Sequence, residues 1–180
     1  LNNEISTLIY GFLEKAGVPT HFVRKIDDTN VEVKKVTILM VEVIVRNLSA
    51  GSYCKRTGAP EGQPFSQPII EFSYKSDELG DPLINDDYIR EMGLATPEDL
   101  AHLRKSALTI NSILTDFFAK CGLKLVDFKI EFGRHYENDT MRIILADEIS
   151  PDCCRLWDIQ TGDKLDKDRF RRDMGGLVEA

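Results

Sequence analysis

Thr96-Pro97-Glu98-Asp99 opens the segment that most restricts the fold. Thr96 is a natural N-cap, Pro97 sits in the first turn, where its missing N–H costs nothing, and Asp99 at the third helical position gives a capping-box pattern. Leu100, Leu103, Ala107, Ile110, Leu114 and Phe117 then recur at helical spacing until Gly122, which predicts an amphipathic helix over 97–120. Its apolar stripe needs another layer to cover it. Directly downstream, Val126–Phe132 alternates: as a strand it places Phe128, Ile130 and Phe132 on one face and Asp127, Lys129 and Glu131 on the other.

The rest of the chain mixes helices and strands without regular alternation. Ile5, Leu8, Ile9, Phe12 and Leu13 predict a helix over 3–16, stopped by Gly17 and Pro19. Segments 21–26, 31–36 and 41–48 read as strands, the first two joined by the turn-like Asp27-Asp28-Thr29-Asn30. In the third, Val41, Val43 and Val45 face one way, and Glu42, Ile44 and Arg46 the other. Residues 49–67, with three glycines and two prolines, read as a long loop. A strand over 69–75, a second loop over 75–82, and a short helix over 86–92 follow. Beyond the long helix, 123–132 and 141–147 read as a hairpin around a polar turn from Gly133 to Thr140, and a short basic helix is expected near 166–173. This order favours an α+β fold with antiparallel sheets plus helices over a doubly wound one.

Lys and Arg number 23 against 30 Asp and Glu, a net charge of −7, which argues against a nucleic-acid partner. No apolar run approaches the ~20 residues of a membrane span. Cys54, Cys121, Cys153 and Cys154 form no C-x-x-C pair, so a structural zinc site has little support, and reduced thiols point to a cytoplasmic protein. The chain opens Leu1-Asn2-Asn3-Glu4, without Met and inside a predicted helix. The natural protein is therefore expected to be longer.

Two constellations carry candidate chemistry. The predicted hairpin brings Glu131 near Asp147, and two carboxylates bracketing Lys129 suit a hard cation and an anionic substrate. A plain cross-strand salt bridge fits the same residues. In Val45–Ser52 a strand end runs into a loop with Arg46, Gly51 and Ser52, followed by Lys55 and Arg56. Such a corner suits a phosphate monoester, although a solvated surface turn has the same composition. It does not match a P-loop. Trp157 beside Arg155 reads equally as a core plug with a stacked guanidinium. His21, His102 and His135 stand singly, without metal-ligand spacing.

Together VRNLSAGSYCKR (45–56), KSDELGDPLIND (75–86), LVDFKIEFGR (125–134), LADEISPDCCRLWD (145–158), KLDKDRFRRDMGG (164–176) and AGVPTHFV (16–23) resemble the SAICAR synthetase family of purine biosynthesis, across essentially the whole chain. The resemblance implies an ATP-grasp/kinase-like nucleotide-binding architecture. It also implies an ATP-dependent ligase joining the carboxylate of CAIR (carboxyaminoimidazole ribonucleotide) to the amine of L-aspartate through an acyl phosphate. ATP and Mg²⁺ are implied as cofactors, and a homodimer as the assembly. Carried over by motif, Glu131 and Asp147 hold Mg²⁺, and Lys129 contacts the anionic reactants and the nucleotide with Asp127 in support. Arg46, Ser52 and Arg155 bind CAIR. Lys34, Ile38 and Leu39 resemble the adenine-side strand and hinge. Lys75, Asp77 and Asp81 line the aspartate or nucleotide side, and Arg169 and Arg172 lie in the C-terminal motif without an assigned role. Residues 1–48 correspond to the remainder of an N-terminal nucleotide-binding lobe and hinge, and 49–180 to a larger α+β substrate- and metal-binding domain.

Nothing in the chain matches the family's glycine-rich Gly-Lys-Ala-Lys-type segment. A protein lacking that segment is expected to bind ATP poorly and to be inactive. Two alternatives therefore stay open: a kinase-like phosphotransferase, for which a two-carboxylate Mg²⁺ site also serves, and a non-catalytic nucleotide-binding domain.

Overall fold

A computed structural model describes residues 1–166. Helix α1 (Asn2–Lys15) leads into a two-stranded ribbon of β1 (Phe22–Lys25) and β2 (Val31–Val33), then β3 (Thr37–Ile38) and β4 (Val41–Leu48). Helix α2 (Gly51–Thr57), β5 (Pro64–Tyr74), a 3₁₀ turn (Asp77–Leu79), β6 (Leu83–Ile84) and α3 (Asp86–Glu91) follow. The chain continues through α4 (Pro97–Lys120), β7 (Leu123–Glu137), β8 (Thr140–Ala146) and β9 (Cys154–Asp158). The segment expected as a basic helix near 166–173, with Arg169 and Arg172, lies essentially outside the described residues.

One long strand organises the antiparallel sheet. Along one edge of β7, residues 127–130 pair with β4, and Gly133 and Arg134 pair with β3. Along the other edge β9 pairs with 123–128, and β8 with 131–137. Beyond β4 the sheet continues through β5 to β6, making seven strands among the described residues. The expected division at residue 48 falls at the end of β4, a strand hydrogen-bonded to β5 and β7 on either side.

Helix α4 forms as its sequence dictates. The Thr96 hydroxyl accepts from the Asp99 amide, and the Asp99 carboxylate accepts from the Thr96 amide. Leu100, Leu103, Ala107, Ile110 and Leu114 are buried together with Val41, Val43, Val45, Phe128, Ile130 and Phe132 in one core. The last turn differs from expectation: Phe118 is buried, whereas Phe117 is half-buried and meets the Phe12 ring at 5.2 Å. In α1, likewise, the buried face is Ser6, Ile9, Tyr10 and Leu13, and Leu8 is 61% exposed. The helix is turned so that Tyr10 points at the end of β8, where its hydroxyl finds carbonyl acceptors.

Three local expectations are corrected. Residues 49–67 contain α2 and the start of β5; α2 buries no residue, so it carries no apolar periodicity to read. The strand expected over 31–36 stops at Val33. The hairpin turn is only Asn138-Asp139, both with positive φ, as a two-residue turn of type I′ requires. Gly133, expected in that turn, lies inside β7. A Cβ there would fall 2.6 Å from the Val36 side chain, so glycine lets the segment before β3 cross closely.

Candidate active site

The sheet face opposite the core is polar yet largely enclosed. Register places Arg46 opposite Asp127, Ile44 opposite both Lys129 and Glu71, and Arg155 opposite Asp127 from the other side. Residues directly opposite one another share a face. The alternation of β4, β5, β7 and β9 therefore converges on one surface of charge.

At one end stands an arginine corner. Arg46, 2% exposed, donates from Nε to Glu71 (2.8 Å), from Nη1 to Asp127 (2.6 Å) and from Nη2 to the Ser52 hydroxyl (2.9 Å). Arg155 Nη1 donates to both Asp127 oxygens, at 3.0 and 2.9 Å. One buried carboxylate thus orients two guanidiniums. Gly51 begins α2 at φ +52, and a methyl group there would overlap the Arg155 guanidinium. Glycine is needed here both for its backbone angle and for the space it leaves.

At the other end stands a lysine-centred carboxylate cluster. Lys129 Nζ donates to Glu42 (2.8 Å) and Glu131 (2.7 Å) and lies 3.6 Å from Asp147. Lys75 Nζ also donates to Glu131, at 2.8 Å. Burial alone would lower the Lys129 pKa, but the hydrogen bonds to Glu131 and Glu42 outweigh it and hold the ammonium firmly charged. Burial pushes Glu131 up, and the two lysines bring it below the usual carboxylate range. Asp147 goes the other way: burial and then the facing Glu131 raise its pKa. Burial, with the nearby Asp81 and Glu131, raises Glu42 despite its hydrogen bond from Lys129.

A cavity of about 430 Å³ joins the two ends, lined by Arg46, Ser52, Asp127 and Arg155 on one side and by Glu42, Lys129, Asp81 and Asp147 on the other. Among the described residues no group of three or more His, Cys, Asp and Glu side chains is arranged to hold a metal ion. Mg²⁺, however, takes one or two carboxylates and fills its remaining positions with water and substrate phosphate. The facing Glu131 and Asp147, whose proximity raises Asp147, are a donor pair that such a cation would relieve.

The sequence model of SAICAR synthetase matches residues 1–180. The chain belongs to the SAICAR synthetase family. It is 59% identical over 180 residues to the phosphoribosylaminoimidazole-succinocarboxamide synthase of Akkermansia muciniphila, covering all of this chain and 76% of that protein. The crystal structure of the synthase from Ehrlichia chaffeensis superposes with a TM-score of 0.94 at 45% identity, covering 99% of this chain and 75% of that one. A SAICAR synthetase in complex with ADP gives 0.92 at 44% identity, with 99% and 75% coverage.

Of the positions that SAICAR synthetase motifs single out, the fold brings Arg46, Ser52, Arg155 and Asp127 into one corner. It gathers Lys75, Lys129, Glu131 and Asp147 at the other end. Glu131 is only 3% exposed and lies beneath the two lysines. Asp81 lines the cavity while accepting from the Ser76 amide. Lys34, Ile38, Leu39, Lys75, Asp77 and Glu131 are not among the cavity-lining residues. Lys34 is exposed and donates to the Thr20 carbonyl, and Leu39 is buried in the core. Two participants escaped sequence reasoning. Glu42 is a ligand of Lys129, and Glu71 is shared by Arg46 and Arg56. Their only signal is strand alternation, and it becomes informative only once β4 and β5 are known to lie beside β7. All four cysteines are free, and no helix among the described residues is long and apolar enough to cross a membrane.

Proposed function

We propose that the chain is an ATP-dependent ligase joining CAIR and L-aspartate to give SAICAR, ADP and phosphate in purine biosynthesis. The observation that carries the reading is a cavity that has an arginine corner at one end and a lysine-centred carboxylate cluster at the other. Family membership favours amide formation over a phosphotransferase or a non-catalytic domain.

Each end has a task. Arg46, Ser52 and Arg155 bind the CAIR phosphate, a bidentate match for guanidinium forks, and Asp127 holds both forks in place. Glu131 and Asp147 are the residues that would hold Mg²⁺. Once bound there, the ion supplies positive charge to phosphate oxygens. Lys129, kept protonated by its carboxylates, neutralises the anionic reactants where charge builds up. Lys75 and Asp81 serve the aspartate or nucleotide side together with Asp77, while Lys34, Ile38 and Leu39 serve the adenine side. The reading extends to a cytoplasmic homodimer with a nucleotide lobe ending near residue 48.

The test is ADP release by the intact protein. It is expected to require CAIR, L-aspartate and Mg²⁺ together, with SAICAR formed in step. A phosphorylated product without an amide bond, or ADP release indifferent to CAIR, would overturn the reading.

A further inference from the structure

The carboxylate of Asp147 is presented by an unusual piece of backbone. Asp147 follows the last residue of β8 with φ +62, a region that non-glycine residues seldom enter. The carbonyls on either side of this turn converge on one hydroxyl from a distant helix. Tyr10 Oη donates to Asp147 O at 2.5 Å and lies 3.0 Å from Ala146 O.

Tyr10 is itself immobilised. It is 2% exposed, stacked on Phe22 at 5.9 Å with the rings 7° from parallel, and flanked by His21 at 5.4 Å. The connector carrying His21 is tied to β8 by two backbone hydrogen bonds, His21 N to Leu145 O and Leu145 N to Pro19 O. The His21 ring faces the same Asp147 carbonyl.

We propose that Tyr10 is a positioning residue, whose hydroxyl clamps the left-handed turn at Asp147 and so aims that carboxylate at Glu131 and the metal. The proposal rests on the reading of Asp147 as a Mg²⁺ ligand. A tyrosine that merely fills the core would satisfy its hydroxyl without setting the angle of a site residue. This one bonds the two carbonyls through which the chain leaves β8. Loss of the hydroxyl frees the turn to relax toward ordinary backbone angles, which swings the carboxylate away from Glu131.

The test compares Tyr10→Phe, Asp147→Asn and the double variant by Mn²⁺ binding in the presence of ADP, read by electron paramagnetic resonance, with circular dichroism to check the fold. Tyr10→Phe is expected to weaken Mn²⁺ binding about 10-fold, as the loss of a group that orients a metal ligand does. It is expected to add nothing in the Asp147→Asn background, and to raise the half-saturating Mg²⁺ for ADP release while leaving the rate at saturating Mg²⁺ nearly intact. Wild-type Mn²⁺ affinity in Tyr10→Phe, beside a loss in Asp147→Asn, overturns the proposal and leaves the metal reading standing. Wild-type affinity in Asp147→Asn overturns both. If Tyr10→Phe does not fold, the comparison is read on His21→Ala, which removes the ring bracing Tyr10. A smaller loss in the same direction supports the clamp, and unchanged affinity overturns it.

Discussion

Asp127→Asn removes one negative charge from between two guanidiniums. Asp127 is 4% exposed and accepts from Arg46 at 2.6 Å and from Arg155 at 3.0 and 2.9 Å. Breaking a buried ion pair by removing one partner costs about 3–5 kcal/mol, because the other charge stays buried without compensation. Here the lower end applies. Arg46 keeps Glu71 and Ser52, and Arg155 is 21% exposed and partly solvated. The expected loss is thus about 3 kcal/mol, roughly a hundredfold in the folding equilibrium. With a urea slope of about 2 kcal/mol/M, the midpoint of unfolding falls by about 1.5 M at unchanged slope. Urea titration followed by circular dichroism reads it directly, and the KM for CAIR should rise in parallel as the forks lose their alignment. A midpoint within about 0.3 M of wild type would refute the reasoning, since it would show that Glu71 and Ser52 alone orient Arg46.

Glu131→Gln is expected to abolish turnover while the fold survives, checked by ADP release beside circular dichroism; near-wild-type activity removes Glu131 from the metal site. Gly51→Ala should cost about 1–2 kcal/mol of stability from its left-handed backbone and raise the KM for CAIR by displacing the Arg155 guanidinium, which steady-state kinetics and thermal melts separate. Asp147 has a raised pKa in the folded state. Its protonated form is favoured by folding, so in the metal-free protein it adds stability as pH falls from above its folded pKa to the ordinary carboxylate value. Mn²⁺ binding needs the ionised form and should weaken over the same interval, at a higher pH than an ordinary Asp would give. Calorimetric titration across that range checks this, and Asp147→Asn should remove that component. Glu131, with a lowered pKa, contributes the opposite sign: its stabilisation is lost as pH falls below the ordinary value through the folded one.

Legibility varied with how local the determining forces are. The capping box and stripe of α4 were readable because every interaction that starts that helix lies within four residues of Thr96. Helix α2 was not, because it buries nothing and its formation is tied to the glycines at its two ends. The one-residue errors at Phe117 and Leu8 arise because helical spacing reveals a stripe but not which edge of it meets the next layer. For the site, Asp127, Lys129 and Glu131 were visible as one face of a strand, and the hairpin placed Asp147 beside Glu131. That this charged face is enclosed and not solvated could not be read from β7 alone. Burial of Glu42, Arg46 and Glu131 depends on β4, β5 and β9 lying beside them, and those pairings span large sequence separations.

Taken alone, the sequence determined the secondary structure of the long helix, the two faces of β7, the family and the chemical types gathered in its motifs. Each of these follows from short-range periodicity or from residue identity. Only the tertiary structure decided that Arg46 and Arg155 share one carboxylate, that Glu42 completes the seat of Lys129, and that a tyrosine from α1 grips the carbonyl of Asp147. Those depend on strand register and on the rotation of a helix about its axis. Both are set by packing between elements far apart in the chain, for which no local pattern carries information.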